Sequence, residues 1–314
     1  MSNTVAILDE EQPDTWERLL DRLNRQSVAK HFDAYADVPW DNPEMAIDPA
    51  DPRWELLGDN PLGATAWYRA QSAQVRSRIG LHMIATQMKV GLQFENILKR
   101  GLLEWASSLP NGCAEFRYAY HEVIEEAQHS LMFQEFVNRA GFDIPGLSPF
   151  MRLVARLVVR LGRVFPELFF VFVLGGEDPI DHVQRAALRR DDNHPLLQRI
   201  MRIHVTEEAR HLSFARHYLR RRVPQQGRLK RARLALQAPL ILGQMARLMM
   251  RPSAQVIRTY RIPKAVLRQA RGSNPAARAQ VLESLSKVRA LLVELGLVTP
   301  VTRRLWMACG LWAG

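Results

Sequence analysis

The chain has 314 residues, 47% of them hydrophobic, with 43 Lys and Arg against 32 Asp and Glu for a net charge of +11. That length can bury one large core or two modest ones. Two cysteines far apart in sequence, Cys113 and Cys309, exclude a disulfide framework, a cysteine-rich zinc site and an iron–sulfur cluster of its own.

Residues 1–64 hold a proline every few positions in DVPWDNPEMAIDPADPRWELLGDNPLG, which predicts an extended strap anchored by Trp40 and Trp54. The acidic opening MSNTVAILDEEQPD lacks the basic-then-apolar order of a secretory leader, so a reduced, cytoplasmic setting is expected. Thr65 suits the N-cap of a long helix from Ala66 to about Leu109, closed by PNG. A second helix is predicted over Ala114–Ala140, stopping at Gly141. A third region, Pro149 to about Arg190, is interrupted at Gly162, Pro166 and GGEDP. Its apolar run LFFVFVLGG, from Leu168, is too short to span a bilayer and reads as a buried helix, so no membrane span is expected. Pro195 suits the first turn of a fourth helix that continues to Arg222. Residues 224–314 form a basic helical extension, punctuated by Pro239, Pro252, Pro263 and Pro275, with sixteen Lys or Arg against Glu283 and Glu294. It lacks the interleaved aromatics of a nucleic-acid platform, and no nucleic-acid partner is expected. The pattern predicts an all-α chain in which residues 65–223 form a four-helix bundle, with the strap over it and the extension packed on it.

The fourth helix contains HVTEEARH. At about 100° per residue, Glu208 lies about 40° from His204 on one side and His211 about 20° on the other. The stripe they make continues through Leu197, Ile200, Ala215 and Tyr218, while Arg199, Arg202, Thr206 and Arg210 occupy the opposite side. Three polar groups on an inward face cost several kcal/mol unless something neutralises them. The second helix repeats the device: Glu126 and His129 in EEAQH share a stripe with Ala119, Val123, Phe133 and Phe136. The i,i+3 spacing lets a carboxylate and an imidazole converge from one rigid helix.

A four-helix di-metal site also needs a lone carboxylate from each of the two other helices. Glu95 sits among Met88, Leu92, Leu98 and Leu102, and Glu177 ends the most apolar run. Glu95 precedes Glu126 by 31 positions, and Glu177 precedes Glu208 by the same 31. Counting back 31 from the neighbouring Glu125 and Glu207 reaches Phe94 and Gly176, which are not ligands. Both pairs thus assign the ligand to the second glutamate and turn the first toward solvent. Glu122 is read as structural rather than ligating, and His121 and His182 lie off the stripes.

Imidazoles with four carboxylates suit two iron or manganese ions a few ångströms apart; zinc-dependent hydrolysis uses similar donors and stays open. Glu126 and Glu208 would bridge, Glu95 with His129 would complete one ion, and Glu177 with His204 and His211 the other.

This arrangement, Glu95, Glu126-x-x-His129, Glu177 and His204-x-x-x-Glu208-x-x-His211, resembles the p-aminobenzoate N-oxygenase family of aureothin-type arylamine oxygenases, a group within the ferritin-like di-iron superfamily. All seven ligand positions match, and the third histidine, His204, is the family's distinguishing feature. The resemblance covers residues 40–225 well and the tail poorly. It implies a ferritin-like bundle holding two iron ions that binds O2, forms a peroxo intermediate and oxidises an arylamine through hydroxylamine to nitroso or nitro. The substrate would be a small aromatic amine, free or carrier-bound, and the assembly a homodimer. A ribonucleotide reductase subunit would place a radical tyrosine where Phe133 stands. No G-x-G-x-x-G follows a strand and no cysteine cluster offers a relay, so a ferredoxin or flavin reductase must supply electrons. The competing readings are a di-iron desaturase or hydroxylase of a carrier-bound substrate and a protein that holds iron without redox turnover.

Overall fold

The computed structural model describes residues 16–249, 252–271 and 275–312. Its helices, in chain order, are α1 (Trp16–Ala29), α2 (Ala66–Arg69), α3 (Ala73–Ala106), α4 (Ala114–Ala140), α5 (Pro149–Val164), α6 (Pro166–Leu188) and α7 (Pro195–Arg222). Six more follow: α8 (Arg228–Met249), α9 (Ala254–Thr259), α10 (Lys264–Arg271), α11 (Pro275–Ser284), α12 (Ser286–Glu294) and α13 (Pro300–Ala308). No strand occurs among the described residues. The fold is an all-α, ferritin-like bundle of α3, α4, α6 and α7. In it α3 lies along α4 and α6 along α7, with α5 outside α3 and α8 outside α6.

Local chemistry sets most boundaries. Ser72 and Ser148 accept from Val75 N and Met151 N, capping α3 and α5. Gly141 ends α4 at φ 70°, in the left-handed region that favours glycine. Pro166 and Pro195 occupy the first turns of α6 and α7, where their missing N–H is harmless.

Four expectations need correction. The N-terminal strap begins as a helix: in α1, WERLLDRLNRQSVA buries Leu19, Leu20 and Leu23 against the bundle. The prolines of the segment crowd after Pro39, so this stretch lacks the breakers that mark the rest. Thr65 caps only the four-residue α2, and the long helix starts anew after Ser72. GGEDP does not interrupt α6, which runs through Pro179. Pro239 likewise lies inside α8 rather than ending it. In both cases the helix face around the proline is buried, so packing outweighs the lost backbone bond.

Beyond α1, two tryptophans fix the segment. Trp54 is buried and stacks on His194 at 4.2 Å between ring centroids, donating to the Asp48 carbonyl at 2.9 Å. Trp40 donates to the Ala34 carbonyl at 2.7 Å, and Arg139 lies over its ring. The basic extension is not peripheral, because Leu234, Leu242, Val288, Leu292 and Trp306 share one buried cluster with Phe169, Phe170, Phe214 and Tyr218 of the bundle.

Candidate metal centre

All seven expected ligand side chains meet at the middle of the bundle, each at most 1% exposed. His129 Nδ1 is 3.3 Å from Glu126 Oε2, 3.6 Å from Glu208 Oε1 and 4.0 Å from Glu95 Oε1. His211 Nδ1 is 3.1 Å from Glu208 Oε1 and 3.2 Å from Glu126 Oε1. His204 Nε2 lies 3.6 Å from Glu95 Oε1 and 3.8 Å from Glu208 Oε1. Ligand atoms converge within 4.8 Å in four groups: Glu95, His129 and His204; Glu126, His129 and Glu208; Glu177, His204 and Glu208; and Glu122, Glu126 and His211. Glu126, His129, His204 and Glu208 each belong to two groups. The expected trio of Glu177, His204 and His211 is not among them. His204 reaches both lone carboxylates, and His211 faces Glu122 and Glu126 instead.

The electrostatics call for cations. Burial and the facing Glu126 carboxylate raise Glu95 well above the usual carboxylate range, and burial with Glu208 does the same to Glu177. Burial also raises Glu208 and pushes His204, next to His129, well below the usual imidazole range. His129 and His211 move the other way. Burial would lower them, but hydrogen bonds and charge from the surrounding carboxylates raise both well above it. Glu95 Oε1, both oxygens of Glu177, Glu208 Oε2 and His204 Nδ1 are buried without a hydrogen-bond partner. Such orphaned acceptors are costly in a core. The carboxylates among them belong to the groups whose ligand atoms converge, and that donor set fits a pair of divalent ions.

Glu125 and Glu207 overturn the expectation that they face solvent. Both are buried, at 3% and 0% exposure. His129 Nε2 lies 2.8 Å from Glu207 Oε2, and His211 Nε2 lies 2.7 Å from Glu125 Oε2. The clamp crosses between helices, each first glutamate holding the imidazole of the opposite one. A carboxylate on the outer nitrogen fixes a ligating ring's tautomer and orientation. Arg210, expected on the outer side, is only 6% exposed, with Nη2 at 2.9 Å from Glu125 and 3.5 Å from Glu207. The backbone N–H of Phe32 donates to Glu207 at 3.2 Å, which ties the segment after α1 to the centre. The repeated EE pair carried this signal: two buried imidazoles need outer partners as well as inner ones.

Glu122 is buried, and its carboxyl is raised to about 8 by that burial, despite the nearby His211. His121 and His182 are half-buried and outside every ligand group.

The family model for the p-aminobenzoate N-oxygenase AurF matches residues 13–296. The chain belongs to that family. Its members are di-iron helical oxygenases, and the match takes in α1 to α12 whole, well beyond the ligand helices. An uncharacterized protein of Mycobacterium tuberculosis strain CDC 1551 is 41% identical over 292 residues, covering 93% of this chain and 86% of its own length. An uncharacterized Mycobacterium bovis protein is 40% identical over the same span and coverage. No solved structure matches at a significant level. No described helix is long and apolar enough to cross a membrane.

Proposed function

We propose that this AurF-family chain is a di-iron oxygenase that uses O2 to oxidise the nitrogen of a small arylamine, through hydroxylamine toward nitroso or nitro. The observation that carries the reading is the set of buried, partnerless carboxylate oxygens of Glu95, Glu177 and Glu208 facing three imidazoles. Two ions would be held by Glu95, Glu126, His129, Glu177, His204, Glu208 and His211, with Glu126 and Glu208 shared between them. Four carboxylates balance the charge of two divalent ions, and the mixed oxygen and nitrogen donors suit iron or manganese. When bound, the two irons supply the electrons and open positions for reductive cleavage of O2.

The chain's own residues supply the rest. Glu125 and Glu207 hold His211 and His129 with their outer nitrogens engaged, so the inner nitrogens face the carboxylates with which they would hold the ions. Phe133, whose ring is 5.4 Å from that of His204, and Ile203 help exclude water from this side. Among the described residues no cysteine cluster accompanies the centre, and Cys113 and Cys309 form no disulfide, so a ferredoxin or flavin reductase would return electrons after each turnover.

Protein loaded anaerobically with ferrous iron should hold two ions per chain. On addition of O2 and an electron donor it should convert anilines to N-oxygenated products, detected by mass spectrometry. Two irons with oxygen consumption but no product from an aniline panel would reject the arylamine assignment. Iron uptake without oxygen reactivity would leave a storage role, and hydroxylated or desaturated products from a carrier-bound acyl substrate would favour the other oxidase class. His204→Ala should lower iron occupancy at one of the two positions and slow turnover while leaving helicity unchanged.

A further inference from the structure

Lys99 follows Glu95 by one turn on α3 and is half-buried. Its Nζ donates to Ser130 Oγ at 2.5 Å and to the backbone carbonyl of Glu126 at 3.1 Å, both on α4. An ammonium has donors only, so the Ser130 oxygen must accept from it. The single hydroxyl hydrogen is then left for Glu95 Oε2, 2.9 Å away. With Oε2 engaged, Oε1 is the oxygen without a partner, and it faces His204 at 3.6 Å and His129 at 4.0 Å.

The other half of the repeated motif lacks every part of this device. Four residues after Glu177 stands Asp181 rather than a lysine, and the residue after His211 is Leu212 rather than a serine. Asp181 points away to Arg185 at 2.7 Å and Lys287 at 3.8 Å. Both oxygens of Glu177 consequently have no partner. Two glutamates at matching positions in the motif are therefore held differently: one by a serine oriented by a lysine, the other by nothing but the ions it would bind.

We propose that Lys99 and Ser130 are positioning residues that confine Glu95 to ligation through Oε1, making the two ends of the centre inequivalent. The proposal rests on Glu95 and Glu177 being ligands. Its direct consequence is that one metal position depends on Ser130 and the other does not.

Anaerobic titration of the metal-free full chain with ferrous iron against a chromogenic chelator, with 57Fe Mössbauer spectra of the loaded protein, tests it. Ser130→Ala keeps helix propensity and volume, so the fold should survive. It should weaken one binding step about 10- to 100-fold, leave the other within about twofold and alter one of the two iron spectra. Lys99→Met should weaken the same step in the native background but not in the S130A background, where no hydroxyl is left to orient. There the loss of a positive charge should leave binding unchanged or tighter. The proposal is overturned if S130A titrates as the native chain, if both steps weaken equally, or if the two losses add. A native chain that binds no iron, or an E95A variant that binds two irons unaltered, would instead reject the assignment of the centre. Two irons with an S130A variant indistinguishable from native would reject the positioning role alone.

Discussion

His129 and His211 each use both ring nitrogens, the inner toward the centre and the outer against a buried carboxylate. Glu207→Gln keeps the size of the Glu207 side chain but removes its charge, so the His129 ring keeps at most a neutral acceptor and becomes a weaker base toward the ions. Metal affinity should fall about 10- to 100-fold with little change in helicity, measured by chelator competition and circular dichroism. An unchanged affinity would show that the clamp is dispensable. Glu122 makes a separate prediction in the metal-free protein, where burial raises it from 4.5 to about 8. Between those values the unfolded chain releases this proton while the folded chain keeps it. The group's contribution to stability is therefore complete below about 4.5 and declines as pH rises toward about 8. Glu122→Gln cannot ionise, so its melting temperature should exceed that of the native chain by a margin that widens from pH 5 to pH 8. A constant margin across that range would contradict the buried, protonated state.

Between elements, α5 lies backbone to backbone against α3. A Cβ on Gly162 would stand 2.1 Å from the carbonyl oxygen of Gly101, so two backbones touch where a side chain would intervene. Because α3 also carries Glu95, that crossing helps set how far the first carboxylate reaches into the bundle. Gly162→Leu should destabilise the protein by about 1–3 kcal/mol or more, since backbone rather than a flexible side chain must move. Thermal unfolding would register the loss, and a native melting temperature would mean that α5 can shift without consequence. Legibility also varied between elements. The bounds of α4 and α7 agree with their amphipathic stripes and their Gly141 and Pro195 punctuation, because those stripes are long and their stop signals local. The helix α1 was obscured by the prolines that follow it. The uninterrupted courses of α6 and α8 contradicted Pro179 and Pro239, whose cost is outweighed only by packing that a linear pattern does not display.

At the scale of the whole molecule, the basic extension completes the core. Leu234 and Leu242 of α8 and Val288 and Leu292 of α12 cover the apolar side of α6, where Phe170 and Leu174 are fully buried. Removing residues 224–314 would uncover that side, and the truncated chain should aggregate or melt far below the full one. Light scattering and calorimetry would decide it, and a monomeric, cooperatively folding fragment would show the extension to be a separate unit. Electrostatics draw the same elements together, since Lys287 of α12 approaches Asp181 of α6 one turn beyond Glu177. Even the N-terminal segment takes part, through the Phe32 amide that bonds Glu207.

The sequence by itself determined the helical class, the two Glu-x-x-His stripes and the pairing of Glu95 with Glu126 and Glu177 with Glu208. These depend on periodicity along single helices and on equal spacing between them. Tertiary structure alone decided what stands behind those ligands. Glu125 and Glu207 lie about 100° round the helix from Glu126 and Glu208, a turn that points outward on an isolated helix. In the bundle they point into the α4–α7 contact instead. Whether such a carboxylate meets water, an arginine or an imidazole depends on the neighbouring helix, and no pattern within one helix encodes its neighbour.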